Sequence, residues 1–213
     1  MGNYLNPDIS TFARVVNSEI YVDKTGLIEY TNRSAKTLQS YICISRPRRF
    51  GKSIAANMLS AYYTCEYDSR ELFSNLKIAS SDSYEKHLNK YDVIFLNMQE
   101  FLSQSSNVEE MLSLLKKSVI WDLLDKYPDF RYFDETNLMR TLQDIYNKTK
   151  RPFVVIIDEW DCIFREYITD KKRRKSIWIS KRFVERQRIC RTCLYDRNSS
   201  NKKIWNTFSV EYV

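Results

Sequence analysis

Five consecutive apolar residues, Phe153 to Ile157 (FVVII), run straight into Asp158 and Glu159. A strand that is apolar at every position has no face for water, so a chain containing it must cover a sheet on both sides. The rest of the chain offers that cover. Tyr41 to Ser45 (YICIS) and Val93 to Leu96 read as further apolar strands. Ile54, Met58, Leu59 and Tyr62 recur at helical spacing and predict a helix from Lys52 to about Cys65. A long amphipathic pattern covers Val108 to Leu124, and a helix over about Asn137 to Lys148 leads through Arg151-Pro152 into the FVVII run. Lys24 to Asn32 looks helical, and Glu19 to Asp23 is a short strand candidate. Apolar strands separated by helices imply an α/β fold, a parallel sheet with helices on both faces.

The 213 residues suffice for one ordinary domain, and no apolar stretch approaches the roughly 20 residues of a membrane-spanning helix. A cytoplasmic protein without a membrane partner is the expectation. Net charge is +7, but 13 Lys+Arg and 3 Asp+Glu fall within 171–213, which leaves that segment at +10 and positions 1–170 at −3. The basic character is therefore confined to one end, unlike the spread basic face of a nucleic-acid binder. Cys190 and Cys193 form one CxxC pair with no second pair to complete a zinc site, and the single histidine, His87, is far away and reads as a surface residue.

Between the first apolar strand and the first long helix lies Arg46-Pro47-Arg48-Arg49-Phe50-Gly51-Lys52-Ser53. A turn there aims backbone N–H groups and a helix N-terminus at an anion, which is the context of a phosphate-binding loop. Gly51 allows close backbone approach, Lys52 would reach the β and γ phosphates, and Ser53 would offer its hydroxyl to Mg²⁺. Arg46 stands where the pattern G-x-x-x-x-G-K-[ST] has its first glycine; Pro47 can fix the turn instead, and Arg48 or Arg49 can add charge. At the end of FVVII, Asp158 can hold a water on Mg²⁺ and Glu159 can orient an attacking water. The competing reading has Asp158 merely ending the strand and Asp161 capping the next helix. The expected set is thus Arg48, Arg49, Phe50, Gly51, Lys52 and Ser53 for the nucleotide, Ser53 and Asp158 for the metal, and Glu159 with Lys52 for catalysis. These residues do not distinguish ATP from GTP.

Tyr21-Val22-Asp23-Lys24-Thr25, RPRRFGKS at Arg46 to Ser53, FLNM at Phe95 to Met98 and VVIIDEWD at Val154 to Asp161 together resemble the AAA-ATPase-like domain family over positions 5 to 170. The resemblance implies a bacterial P-loop NTPase-like sheet, ATP and Mg²⁺ as cofactors, Walker A residues Lys52 and Ser53, and a Walker B pair at Asp158 and Glu159. It also implies that Arg46 is a family trait, and that a PD-(D/E)XK nuclease-like domain usually follows. Expected partners are a nucleotide and, by self-association, a second copy; nucleic acid would engage only through a missing downstream domain or the basic tail.

Beyond Thr169 periodicity is lost, and 177–213 mixes Arg, Ser, Asn and Cys with Trp178, Trp205, Phe183 and Phe208. Aromatic residues are uncommon in a basic disordered tail. Lys171 to Lys175 (KKRRK) is readily encoded by an A-rich tract, and dropping one A rereads the tail as a string containing the strand-like VELAYMTGIL. The expected organisation is therefore a domain over 1–170, truncated by a reading-frame shift near residue 171, and an out-of-frame, unstructured tail over 171–213. The sheet should be incomplete at the C-terminus, lacking the strand after Asp158, and hydrolysis should be weak. The alternative is a non-hydrolysing module that uses the basic tail to hold a nucleotide or nucleic acid.

Overall fold

A computed structural model of the chain describes residues 2–35, 37, 40–46, 50–160, 162–163 and 191–196. Pro47, Arg48, Arg49, Asp161 and Cys190 lie outside them. Two helices, α1 (Ser10–Val16) and α2 (Gly26–Ser34), precede strand β1 (Tyr41–Arg46) and helix α3 (Lys52–Tyr63). Two single helical turns, α4 (Arg70–Phe73) and α5 (Tyr84–His87), flank a 3₁₀ turn at Lys77–Ser80. Strand β2 (Asp92–Asn97) is followed by α6 (Met98–Ser103), α7 (Val108–Lys126) and α8 (Leu138–Thr149), then by β3 (Phe153–Asp158) and β4 (Arg191–Asp196).

The four strands are all parallel, in the order β1-β4-β3-β2. Every residue of β3 is buried. Because successive side chains on a strand point to opposite faces, Phe153, Val155 and Ile157 enter one core with α6, α7 and α8, while Val154 and Ile156 enter a second with α1, α2 and α3. Strand β2 divides the same way, with Ile94 and Leu96 on one side and Val93 on the other. This is the three-layer α/β arrangement that an all-apolar strand demands.

Asparagine side chains begin the second-layer helices: Asn97, Asn107 and Asn137 accept backbone N–H bonds from the first turns of α6, α7 and α8. Lys150, at φ 54, ends α8 in the left-handed region just before Pro152. The outer edge of β2 is covered by the N-terminal segment. Asn6 donates its N–H to the Val93 carbonyl (2.7 Å), Phe95 donates to Tyr4 (2.8 Å), and the Asp122 carboxylate of α7 accepts the Tyr4 and Leu5 amides (2.6 and 3.1 Å). At the start of β2 the fully buried Asp92 accepts from Asn6 Nδ2 (2.9 Å), Tyr127 Oη (2.9 Å) and Cys65 Sγ (3.3 Å), with Arg151 Nη1 at 3.5 Å. Burial, and then the Asp92 charge, push the Cys65 thiol up to about 12.

Three expectations are corrected. Residues 191–196, assigned from sequence to an unstructured tail, form a strand that fills the slot between β1 and β3, pairing Ile42 with Thr192 and Ile157 with Cys193. The slot beside β3 is thus occupied by residues 191–196, because ladder pairing is made by backbone groups and does not require an apolar periodicity. Glu19 to Asp23 forms no strand; side-chain anchoring holds it instead, as described below. His87 is buried, not on the surface: its ring stacks on Tyr91 at 5.8 Å and its Nδ1 hydrogen-bonds the Tyr91 hydroxyl, so a partner four residues on satisfies it.

Candidate functional site

The carboxyl ends of β1 and β3 open on the same edge of the sheet, where ligands bind in parallel α/β architectures. With β4 between them they stand two strand spacings apart, roughly 10 Å. That places the start of α3, which follows β1, and the pair Asp158-Glu159, which ends β3, on the same sheet edge on either side of β4.

Gly51 is the N-cap of α3 and sits in the left-handed region at φ 75, ψ 33. Where α6, α7 and α8 start on an asparagine, α3 starts on a glycine, which has no side chain to cap it. Lys52 is the first helical residue and is half-buried; Ser53 is exposed, and its carbonyl accepts from Asn57 Nδ2 at 2.7 Å. Phe50 is 60% exposed. Asp158 is buried, and its Oδ1 accepts the backbone N–H of Glu159 at 3.0 Å. Glu159 itself has φ 53, a strained conformation for a residue with a side chain. Its carbonyl accepts from Cys162 N (3.1 Å), turning the chain directly after the strand. Trp160 is partly buried and packs against the α6–α8 core.

The structure also shows what holds the segment Asp23-Lys24-Thr25 in place. Asp23 accepts from the Thr25 amide (2.8 Å), the Thr25 hydroxyl (2.7 Å) and the Lys77 amide (2.7 Å), and Thr25 Oγ1 accepts the Ile78 amide (3.1 Å). Burial alone would raise the Asp23 carboxyl, but the Lys77 and Thr25 donors outweigh it and hold the group below its ordinary value. Anchored this way, the next residue, Lys24, reaches the loop before α3: its Nζ donates to the Phe50 carbonyl at 3.0 Å. Beside it runs a groove of about 660 Å³, lined among others by Arg14, Tyr21, Val22, Phe50, Ile54 and Met58. Ile20, Val22, Phe50 and Ile54 leave large apolar surfaces open there. Lys24 and the groove residues Arg14, Tyr21, Val22, Ile54 and Met58 were not among the expected site residues, whereas Phe50 and Gly51, which also line the groove, were. The one signal was the run Ile20-Tyr21-Val22, apolar without a partner strand.

Of the expected residues, the fold brings Phe50, Gly51, Lys52, Ser53, Asp158 and Glu159 to one sheet edge; Arg48 and Arg49 lie outside the described residues. A Mg²⁺ ion suits the donors present, since a hydroxyl and a buried carboxylate are hard oxygen ligands. Among the described residues no group of three or more His, Cys, Asp or Glu could form an all-protein metal cage, which Mg²⁺ bound with phosphates does not require.

A family model described as a predicted AAA-ATPase matches residues 8–194. The chain belongs to the AAA-ATPase-like family. Membership makes it an ATPase-like, nucleotide-binding domain, and the match runs past residue 170, where the sequence resemblance had seemed to end, into β4. A solved chain from the structure of C. elegans PCH-2 is 12% identical, with a TM-score of 0.31; the likeness covers 92% of this AAA-ATPase-like chain and 37% of that one, and at that score it carries no argument. No curated protein matches. Among the described residues no helix is long and apolar enough to cross a membrane.

Proposed function

We propose that this AAA-ATPase-like chain binds ATP at the α3 N-terminus and hydrolyses it slowly. The observation that carries the reading is the pairing of Gly51, left-handed at the start of α3, with Asp158 and Glu159 on the same sheet edge. Backbone N–H groups from Gly51 onward face the phosphates, and Lys52 adds a point charge to the β and γ groups. Arg48 and Arg49 contribute further positive charge, and Phe50 offers an apolar wall. Ser53 and Asp158 would hold Mg²⁺, which when bound neutralises phosphate charge. Glu159 orients the attacking water and draws on its proton. The apolar groove beside Phe50 and Ile54 takes the base, because it adjoins the loop and shares Gly51 with it.

The test is a titration of the full chain with Mg-ATP, followed by phosphate release. Lys52→Ala should abolish binding, and Glu159→Gln should leave binding in place while removing the residual turnover. Binding that is indifferent to Lys52→Ala would sink the proposal.

The alternative, a non-hydrolysing module whose tail grips nucleic acid, expects DNA affinity that falls steeply with salt and disappears when 171–213 is deleted. The strand at Arg191–Asp196 counts against it, since a central strand of the sheet is not free to wrap a duplex. Self-association, the other expected partnership, would appear as a nucleotide-dependent change in sedimentation.

A further inference from the structure

Resting on the nucleotide-binding reading above, we propose that Lys24 is a positioning residue that sets the direction of the Phe50-Gly51 peptide and, through it, the affinity of the loop for phosphate. A phosphate-binding loop works only if its amides, not its carbonyls, face the anion. A glycine in the left-handed region is the weak point of such a loop, because without a Cβ the peptide before it rotates at little cost. Something must hold that peptide. The side chain placed to do so is Lys24, whose ammonium donates to the Phe50 carbonyl at 3.0 Å.

The geometry then dictates the amide. No described peptide bond is cis, and in a trans peptide the C=O and N–H point in opposite directions. A Phe50 carbonyl fixed on Lys24 therefore directs the Gly51 N–H away from Lys24. If the peptide rotated, a carbonyl oxygen would replace that donor, and a carbonyl repels phosphate. The ammonium also closes the space beside the glycine: a Cβ added to Gly51 would lie 3.1 Å from Lys24 Nζ. Lys24 and Gly51 thus form a matched pair, with the lysine occupying the volume that the glycine vacates.

Lys24 is itself held in place. It has no helix or strand to support it, but Asp23 before it and Thr25 after it are pinned to the 3₁₀ turn at Lys77–Ser80 by the bonds already described. Asp23-Lys24-Thr25 therefore reads as one device, two anchoring residues around one that reaches out, and it couples the groove lined by Tyr21 and Val22 to the loop. Lys24 acts through the Phe50 peptide and not on the γ-phosphate, so its loss should be felt equally by nucleotides with two and three phosphates.

The experiment titrates the full chain with a fluorescent ADP and with a non-hydrolysable ATP analogue, comparing wild type, Lys24→Met, Lys24→Arg and Lys52→Ala, and records the ligand-free melting temperature of each. Lys24→Met should weaken both probes by the same factor, about tenfold, with the melting temperature unmoved, and Lys24→Arg should recover most of the affinity. Wild-type affinity in Lys24→Met overturns the inference. So does a loss confined to the ATP analogue, which would mean direct contact with the γ-phosphate. A loss that follows a fall in melting temperature and is not rescued by arginine makes Lys24 merely structural and overturns it equally. Lys52→Ala separates the two levels: if wild type and Lys52→Ala bind alike, the nucleotide reading fails and takes the clamp with it. If Lys52→Ala loses binding while Lys24→Met does not, the clamp alone fails.

Discussion

Glu159 holds a conformation that costs the fold something, and replacing it should separate stability from turnover. Its φ of 53 places it in the left-handed region, where an L side chain costs roughly 1–2 kcal/mol. Glu159→Gly removes that strain but loosens the unfolded chain by about 0.4–1 kcal/mol. The net expectation is a gain of roughly 0.5–1 kcal/mol, or about 1–4 °C in melting temperature for a chain of this size. The same substitution removes the carboxylate proposed to orient water and should cut phosphate release by about a hundredfold or more. Glu159→Gln keeps the strain and loses the carboxylate, so its turnover should fall as far without the gain in melting temperature. Thermal melting and single-turnover phosphate release on the three proteins provide the readout. A Glu159→Gly variant that melts below wild type would refute the strain reasoning, and one that releases phosphate at the wild-type rate would refute the catalytic assignment.

Other expectations follow from the same geometry. Asp92→Ala strands Asn6, Tyr127 and the partly buried Arg151 at once and should destabilise the domain by about 3–5 kcal/mol in urea unfolding, with a loss under about 1 kcal/mol contradicting the network. Asp23, whose carboxyl is held low by the Lys77 and Thr25 donors, contributes stability that is fully present above the ordinary carboxylate value and is lost as pH falls through the lowered one. The difference in unfolding free energy between wild type and Asp23→Asn should therefore shrink from about pH 7 to about pH 3, below the ordinary value near 3.9; a constant difference would show that the carboxylate charge is not what anchors the segment. Resequencing the source DNA across codons 168–180 tests the reading-frame expectation. One fewer A would place VELAYMTGIL on residues 190–199, overlapping β4, with an open frame downstream, whereas a confirmed tract with stops in the other frames would refute it.

Much of the architecture was legible because hydrophobic periodicity is a local property. The FVVII run, the helix after Gly51 and the amphipathic stretch from Val108 could be placed to within a few residues, and the two-sided burial of β3 followed from its lack of any polar position. The shared position of Gly51, Lys52, Ser53, Asp158 and Glu159 was legible for a related reason: each stands at the junction of a strand with the segment that follows it, and junction residues in a parallel sheet share one edge. His87 was misread because the polar residues around it in sequence suggested the surface, while its burial comes from stacking on Tyr91, whose hydroxyl meets its Nδ1.

The sequence by itself determined a covered parallel sheet, a glycine at the start of the helix after β1 and a carboxylate pair at a strand end, since all three are written in short contiguous runs. Tertiary structure alone decided the rest. It placed residues 191–196 in the central slot of the sheet, because backbone pairing with β1 and β3 depends on which edges are open and not on local pattern. It likewise joined Lys24 to Phe50 across 26 residues, a contact that neither segment announces, because a lysine becomes a clamp only when the fold brings a carbonyl within reach of its ammonium.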